Sequence, residues 1–309
     1  MRIVSGMPTS RSLVPAPIRA LDEKASNGIL GAARIVVGLL WLANIEWKRP
    51  GDFGLDLKNG LYKYVDSAVQ NPVFGPYSWF VENVVLKQYT LFGWITLLTE
   101  TALAVFLLLG LWTRLFALVG AAMSVSILLS VLYYDKSYEW PWSYFLMFTA
   151  HLLLFAVSAG KFAGLDGVRL GRIGKEQAIR VLGVVAVVAG IGGLIVARSV
   201  DFAGKQGALL GWAKWELKLL WFNPLSAILT IVGGICLVVG ASSARRVIAL
   251  AAAAMFAVMF VLVLAMWRYN RGDWTGGFLG ATGATGAFWA MLAVGVLALQ
   301  GSRRPVDAT

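Results

Sequence analysis

Three ionisable side chains, Arg34, Glu100 and His151, lie within stretches of the sequence that are otherwise apolar. An ionised group at the centre of a bilayer costs roughly 2.5–3.5 kcal/mol on insertion scales, so it normally faces a partner or a cavity. A carboxyl group can take up or release a proton, an imidazole does so near neutral pH, and a nearby cation keeps a carboxylate ionised. These residue types predict a catalytic cluster for proton transfer to or from a small apolar ligand.

The expected depths place the three groups within mutual reach. At 1.5 Å per residue, Glu100 lies about 15 Å and His151 about 13–14 Å below the outer ends of their spans, and Arg34 about 9 Å above the inner end of its span. Arg34 is then expected to hold Glu100 ionised, and His151 to exchange a proton with a ligand carbonyl. The alternative is an Arg34–Glu100 pair that only fixes helix register, with His151 bonded to a backbone carbonyl.

The composition excludes soluble, disordered and fibrous proteins. Hydrophobic residues make up 59% of the 309 positions and charged residues 14%, with a mean hydropathy of +0.73. Soluble domains are about 45–50% apolar and about 25% charged. The apolar residues also occur in blocks near the ~20 residues that a helix needs to cross hydrocarbon. We therefore expect a multi-pass membrane protein.

The hydropathy pattern predicts an all-α integral membrane protein with about eight transmembrane helices. Between the first two spans, an amphipathic segment within residues 48–89 is expected to lie on the outer surface. Asn44 and Glu46, near the outer end of the first span, are expected to reach water. The expected spans are Gly28–Trp47, Thr90–Leu111, Leu115–Leu132, Trp142–Ala159, Ile179–Ala197, Leu225–Gly240, Val247–Trp267 and Phe278–Leu299.

The distribution of positive charge predicts the orientation and the surface partners. Short basic loops are typical of the cytoplasmic side, so both termini are expected there, in a plasma or inner membrane. The net charge of +11 favours anionic lipid headgroups over nucleic acid. The basic groups that become cytoplasmic are Arg114, the loop 161–175, Arg245 with Arg246, and Arg303 with Arg304.

Two segments, Leu107–Ser124 and Leu237–Met255, share an order of features: the end of a span, a glycine, a tight basic turn and a new span. We interpret this as a repeat, although apolar segments also resemble one another by chance. It predicts two tandem four-helix bundles, each with a Trp-rich interfacial helix on the outer side. The domains are then an N-terminal cytoplasmic arm (1–27), a first four-helix unit (28–170) and a second, degenerate unit (171–309). In contrast to the first unit, the spans of the second unit hold no ionisable side chain between their ends.

Two residue counts limit the possible cofactors. The chain has one histidine and one cysteine, Cys236. It cannot supply two histidines to a haem, the cysteines of an iron–sulfur cluster, or an internal disulfide. We expect no metal site. Cys236 lies in an apolar span without basic neighbours and is expected to be a core residue.

Several of these motifs resemble the DoxX/DoxD family. The family shows an early Arg-x-x-x-Gly, a glutamate about ten residues before a Leu-rich Gly-Leu-x-Thr-Arg turn, and a fourth span that closes on Gly-Lys/Arg-Phe. In this chain the corresponding residues are Arg34 to Gly38, Glu100 followed by Leu107–Arg114, Leu153 to Phe155, Gly160 to Phe162, and Leu165 with Asp166.

The resemblance implies a four-helix membrane unit that contacts quinone and works with a soluble or membrane redox partner. Members of the family have been linked to the small subunit of a thiosulfate:quinone oxidoreductase, and to membrane complexes that handle thiol and oxidative stress. The residues expected to contact the quinone are Trp94, Phe148 and Arg114. The single cysteine excludes a persulfide relay through this chain.

Two other functions stay open from the sequence. The chain could be a non-catalytic scaffold that holds partner enzymes through its basic inner loops. It could instead be a small-molecule transporter, as repeats and midplane charge are typical of such proteins. The sequence also leaves open whether turnover takes place in this chain.

Overall fold

The computed structural model describes residues 16–48, 50–134, 142–204, 207–212, 217–269 and 277–301. Within these ranges the chain is helical except for loops and one two-stranded sheet, which confirms the expected all-α class. The helices are α1 (Ala16–Ile45), α2 (Gly60–Gln70), α3 (Gly75–Phe80), α4 (Tyr89–Leu109), α5 (Thr113–Val131), α6 (Trp142–Val157), α7 (Leu165–Arg169), α8 (Lys175–Val196), α9 (Pro224–Val239), α10 (Arg246–Tyr269) and α11 (Gly283–Gly301), and the strands are β1 (Ala208–Trp212) and β2 (Leu217–Phe222).

Six helical segments in the described ranges are long and apolar enough to cross a membrane. The other two expected spans coincide with α6 and α9, which have 16 residues each. This is shorter than the ~20 residues of a typical crossing, so the count of eight spans is not confirmed. The six segments are Ala25–Ile45, Gly75–Leu109, Thr113–Val131, Lys175–Ser199, Ser243–Met266 and Gly283–Gly301.

Two expected boundaries differ in the first unit. Gly75 and Pro76 begin α3, although a Gly-Pro dipeptide typically marks a turn, because proline is favourable at the first positions of a helix. A short π-helical and 3₁₀ segment joins α3 to α4, so the helical segment runs from Gly75 to Leu109. The expected N-terminal arm is helical from Ala16 onward, and residues 1–15 lie outside the described residues.

The expected interfacial helix of the second half is instead an antiparallel hairpin. Strands β1 and β2 pair with Ala208 opposite Phe222, and the register shifts between Leu210 and Gly211. Strands of five and six residues are too short for hydrophobic periodicity to separate helix from strand reliably. In the first half the outer segment does contain a helix, α2, as expected.

The long helices of both halves pack in the same order. In the first half α1 contacts α4, α4 contacts α5, α5 contacts α6, and α6 returns to α1. The same order of contacts links α8, α9, α10 and α11. This packing agrees with two tandem four-helix bundles, whereas the sequence repeat and the domain boundaries stay predictions.

Helix α11 lies at the centre of the molecule. Its membrane-length segment is 78% buried, against 28–39% for the other five. It contacts α1 and α4 of the first half as well as α8 and α10. Small residues allow this close approach: a Cβ on Gly295 would lie 2.8 Å from Leu182 and 2.9 Å from Leu109.

A buried hydrogen bond also joins the halves. The Thr282 hydroxyl donates to Glu46 Oε2 over 2.6 Å, and both residues are buried. The expectation that Glu46 reaches water is therefore wrong. The carboxylate lies at the end of α1, where α11 of the second half covers it.

We expect Thr282→Val to lower the free energy of unfolding by about 1.5–3 kcal/mol, because it removes a buried hydrogen bond to a charged group. Equilibrium unfolding of the full chain in mixed detergent–SDS micelles measures this change. Thr149→Val is the matched control, since the Thr149 hydroxyl is exposed and bonds only to Phe145 O of its own helix. Equal losses in the two variants would contradict the prediction.

Candidate functional site

The first unit contains a cavity of about 290 Å³ between α1, α2, α3, α4, α5 and α6, near the end of the unit where α1 finishes and α4 begins. Its wall is mainly apolar and aromatic. Asn44, Lys48 and Glu100 also line it, together with four threonine and serine side chains: Thr96, Thr99, Ser126 and Ser130. The aromatic lining residues are Trp47, Tyr64, Tyr77, Phe80, Tyr89, Phe92 and Tyr144.

Lys48 and Glu100 form a buried ion pair in this lining. Lys48 Nζ lies 3.1 Å from Glu100 Oε1, and the two side chains are 2% and 1% exposed. Lys48 Nζ also lies 3.4 Å from the centre of the Trp47 ring. A cation over an indole face is attracted by the ring quadrupole, so the ammonium has two favourable partners that replace water.

Asn44 fixes the orientation of the carboxylate. Its Nδ2 donates to Glu100 Oε1 over 2.9 Å, and its Oδ1 accepts a hydrogen bond from Trp47 Nε1, also over 2.9 Å. Asn44 lies in the last turn of α1, and Trp47 and Lys48 follow in the turn after it. One short segment of chain therefore supplies every described polar partner of Glu100.

The two polar contacts of Glu100, with Lys48 and with Asn44, are both made by one carboxylate oxygen, Oε1. Glu100 Oε2 is buried and has no hydrogen-bond partner among the described residues. A buried carboxylate oxygen without a partner is unfavourable, because it loses hydration and gains nothing in return. In the lining of a cavity, such an oxygen is suited to receive a hydrogen bond from a ligand.

Arg34 does not pair with Glu100. Its guanidinium donates to the carbonyls of Leu107 and Leu108 at the end of α4, and to those of Phe162 and Ala163 before α7. The last carbonyls of a helix have no partner within the helix and carry its negative dipole end. The side chain is 0% exposed, and it fastens α4 to the 162–163 loop. The prediction that Arg34 pairs with Glu100 is wrong, and Lys48 is the cation that faces Glu100.

His151 lies outside the cavity lining and is fully satisfied. Trp41 Nε1 donates to His151 Nε2 over 2.9 Å, and His151 Nδ1 lies 2.6 Å from Met147 O. This arrangement places the imidazole proton on Nδ1. Gly120 makes room for the ring, since a Cβ there would lie 2.1 Å from Nε2. The backbone-bonded alternative considered for His151 is the arrangement observed.

The structure thus separates the three residues that the sequence placed in one cluster. Glu100 lines the cavity, whereas Arg34 and His151 do not. Their catalytic roles stay predictions. Lys48 was not among the site residues predicted from the sequence, and Asn44 was expected to reach water. Their spacing of four residues, one helical turn, is the signal that could have placed both on one side of the chain.

The three residues expected to bind a quinone also lie outside the cavity lining. Trp94 packs edge-to-face on Phe53, with 5.5 Å between the ring centres. Phe148 is half-buried on α6, and Arg114 is exposed at the start of α5. Within the described ranges, no group of three His, Cys, Asp or Glu side chains could hold a metal ion.

Comparison with known proteins adds one finding. Residues 60–188 match the family model described as the TQO small subunit DoxD, which confirms the resemblance to the DoxX/DoxD family over this range. The match covers Glu100 and most of the cavity lining but ends within α8, so it spans less than half of the 309 residues. No curated protein and no solved structure matches the chain.

Proposed function

We propose that this DoxD-like membrane protein is the quinone-binding subunit of a redox complex, and that the ligand lies in the cavity beside Glu100. The observation that carries the proposal is the buried, unpartnered Oε2 of Glu100 in the lining of this aromatic cavity. The family match and the apolar helices support the membrane subunit itself. The redox partner, in sulfur, thiol or oxidative-stress chemistry, and the cytoplasmic location of both termini are part of the proposal.

The residues present fit a quinone ring. Ligand sites usually have about 300–1,000 Å³, mostly apolar walls and a few converging polar groups, and this cavity of about 290 Å³ is close to that range. Aromatic side chains such as Tyr64, Phe80 and Phe92 offer faces and edges for a planar ring. Bound quinone would supply two-electron chemistry coupled to protons at its two ring oxygens.

Glu100 is suited to hold and transfer the proton. As a carboxylate, Oε2 accepts a hydrogen bond from a ligand hydroxyl; once protonated, it donates to a ligand carbonyl oxygen. Lys48 stabilises the ionised form at 3.1 Å. The Asn44 amide occupies Oε1, so Oε2 is the oxygen left for the ligand.

We expect a substitution that fills the cavity to weaken quinone binding about tenfold or more, because the side chain occupies the ligand's space. Thr96→Phe introduces such a ring, since Thr96 lines the cavity. Thr149→Phe is the matched control on the exposed face of α6. Titration of the full chain in mild detergent with decylubiquinone, followed by tryptophan fluorescence, measures the affinity.

The same preparations are extracted with organic solvent, and the absorbance of co-purified quinone is recorded. The proposal expects quinone in the wild type and in Thr149→Phe, and a loss in Thr96→Phe. Equal affinity in the two variants would place the ligand elsewhere. No binding by the wild type would refute the proposed function.

A further inference from the structure

A second concave surface lies at the opposite end of the first unit from the Lys48–Glu100 pair, where α4 and α6 end and α5 begins. We call it the basic groove and define it by Thr113, Arg114, Lys161, Asp166 and Arg169. None of these residues lines the cavity beside Glu100. The inference drawn from this groove is therefore independent of the proposed quinone site.

The groove carries an excess of positive charge. Arg114, Lys161 and Arg169 are exposed, and neither Lys161 nor Arg169 has an ion-pair partner among the described residues. The one acidic residue is already occupied: Asp166 accepts hydrogen bonds from the backbone N–H groups of Trp112 and Thr113 over 3.0 and 3.2 Å. The charge pattern is therefore complementary to an anion.

A buried hydroxyl points to the same conclusion. Thr113 is 1% exposed, and its Oγ1 has no hydrogen-bond partner in the described part of the chain. A buried hydroxyl without a partner is unfavourable. Because Thr113 lines the groove together with the basic side chains, an anionic oxygen bound beside it would satisfy this hydroxyl.

The surroundings of the groove favour a lipid over a soluble anion. Trp112, Leu115 and Leu170 form an apolar rim and are 51%, 55% and 57% exposed. Indole rings prefer the boundary between headgroups and hydrocarbon. Two membrane-length segments meet here, one ending at Leu109 and one beginning at Thr113, so acyl chains can reach the rim while a headgroup faces the charges.

We propose that the basic groove is a binding site for the phosphate headgroup of an anionic phospholipid, on the membrane surface predicted to be cytoplasmic. Arg114, Lys161 and Arg169 attract the phosphate, and the Thr113 hydroxyl donates to one of its oxygens. The apolar rim contacts the upper part of the acyl chains.

Native mass spectrometry of the full chain in detergent tests this site, with phosphatidylglycerol and phosphatidylcholine as probes. We expect one phosphatidylglycerol to bind with clear preference over phosphatidylcholine. The double variant Lys161→Gln/Arg169→Gln should weaken this binding roughly 25-fold, since each basic group near an anionic surface contributes roughly fivefold. The matched control Arg245→Gln/Arg246→Gln removes two exposed charges at the start of α10 and should leave phosphatidylglycerol binding unchanged.

A second variant separates binding from folding. Thr113→Val keeps the shape of the side chain and removes only the unpartnered hydroxyl. It should weaken phosphatidylglycerol binding roughly tenfold, while thermal stability without lipid stays the same or rises. Equal binding of the two lipids, or equal losses in the two double variants, would overturn the site. Competition by inorganic phosphate at the concentration of the lipid would assign the groove to a soluble anion and would overturn the lipid site. The lipid site would also be overturned if Lys161→Gln/Arg169→Gln lost a co-purified acidic protein but still bound phosphatidylglycerol as the wild type does.

Discussion

Replacement of Lys48 by methionine is expected to lower the free energy of unfolding by about 3–5 kcal/mol, because it leaves the Glu100 carboxylate buried without its cation. Glu100→Gln should have a similar effect, since it removes the carboxylate that pairs with the buried Lys48 ammonium. Both side chains are almost fully buried, at 2% and 1% exposure.

The double variant Lys48→Met/Glu100→Gln is expected to recover most of the lost stability, because it removes both buried charges together. The four proteins form a double-mutant cycle, which isolates the interaction between the two side chains. Equilibrium unfolding in mixed detergent–SDS micelles gives the four free energies. The double variant also provides a folded protein without the proposed proton acceptor, so loss of quinone-linked proton transfer in it cannot be attributed to unfolding.

The chain offers a matched control for this cycle. Arg180 and Glu176 form an ion pair at 3.8 Å on α8, with side chains 59% and 55% exposed. Exposed pairs of this spacing contribute about 0.3–0.5 kcal/mol, so the cycle Arg180→Met/Glu176→Gln should show a coupling near that value. If the Lys48–Glu100 coupling is as small as that of the control, the pair is not the buried interaction described above.

The sequence located Glu100 correctly as a buried polar group but assigned it the wrong cation. Residue depth along a span follows from hydropathy and the helical rise. The direction in which a side chain points depends on how each helix is rotated about its axis. The depth of a residue in the membrane gives no information about this rotation. Arg34 and Glu100 have compatible depths, yet Arg34 faces the end of α4. Lys48 lies beyond the first apolar block, so its folding back over Trp47 required tertiary information.

The lack of tertiary information in the sequence also explains why a helix was predicted where the second half has a hairpin. It likewise explains why the structural role of the family-like motifs was not predicted. The hydrophobic blocks predicted where most helices lie, because burial in lipid requires continuous apolar length. The turn Leu107–Arg114 is part of the motif that resembles the DoxX/DoxD family. In the structure the Arg34 guanidinium donates hydrogen bonds to backbone carbonyls at the end of α4. The Asp166 carboxylate accepts hydrogen bonds from the backbone N–H groups of Trp112 and Thr113 at the start of α5. The motif therefore has at least a structural role, in fixing this turn.

Arg34→Lys is expected to lower the free energy of unfolding by about 3–6 kcal/mol, because two carbonyls lose charged hydrogen bonds worth about 1.5–3 kcal/mol each. The planar guanidinium reaches carbonyls on both α4 and the 162–163 loop, and a single ammonium cannot span both groups. Gly110 shows how tight the site is, since a Cβ there would lie 2.8 Å from Arg34 Cζ.

Arg114→Lys is the control for this substitution, as Arg114 is exposed and makes one backbone contact at 3.4 Å; its effect should stay within about 0.5 kcal/mol. Quinone affinity separates the two roles considered for Arg34. If Arg34 only fastens α4 to the loop, the folded fraction of Arg34→Lys binds decylubiquinone as the wild type does. Unchanged stability with a large loss of quinone binding would instead place Arg34 at the ligand, and would show that its carbonyl contacts are not what holds the helix end.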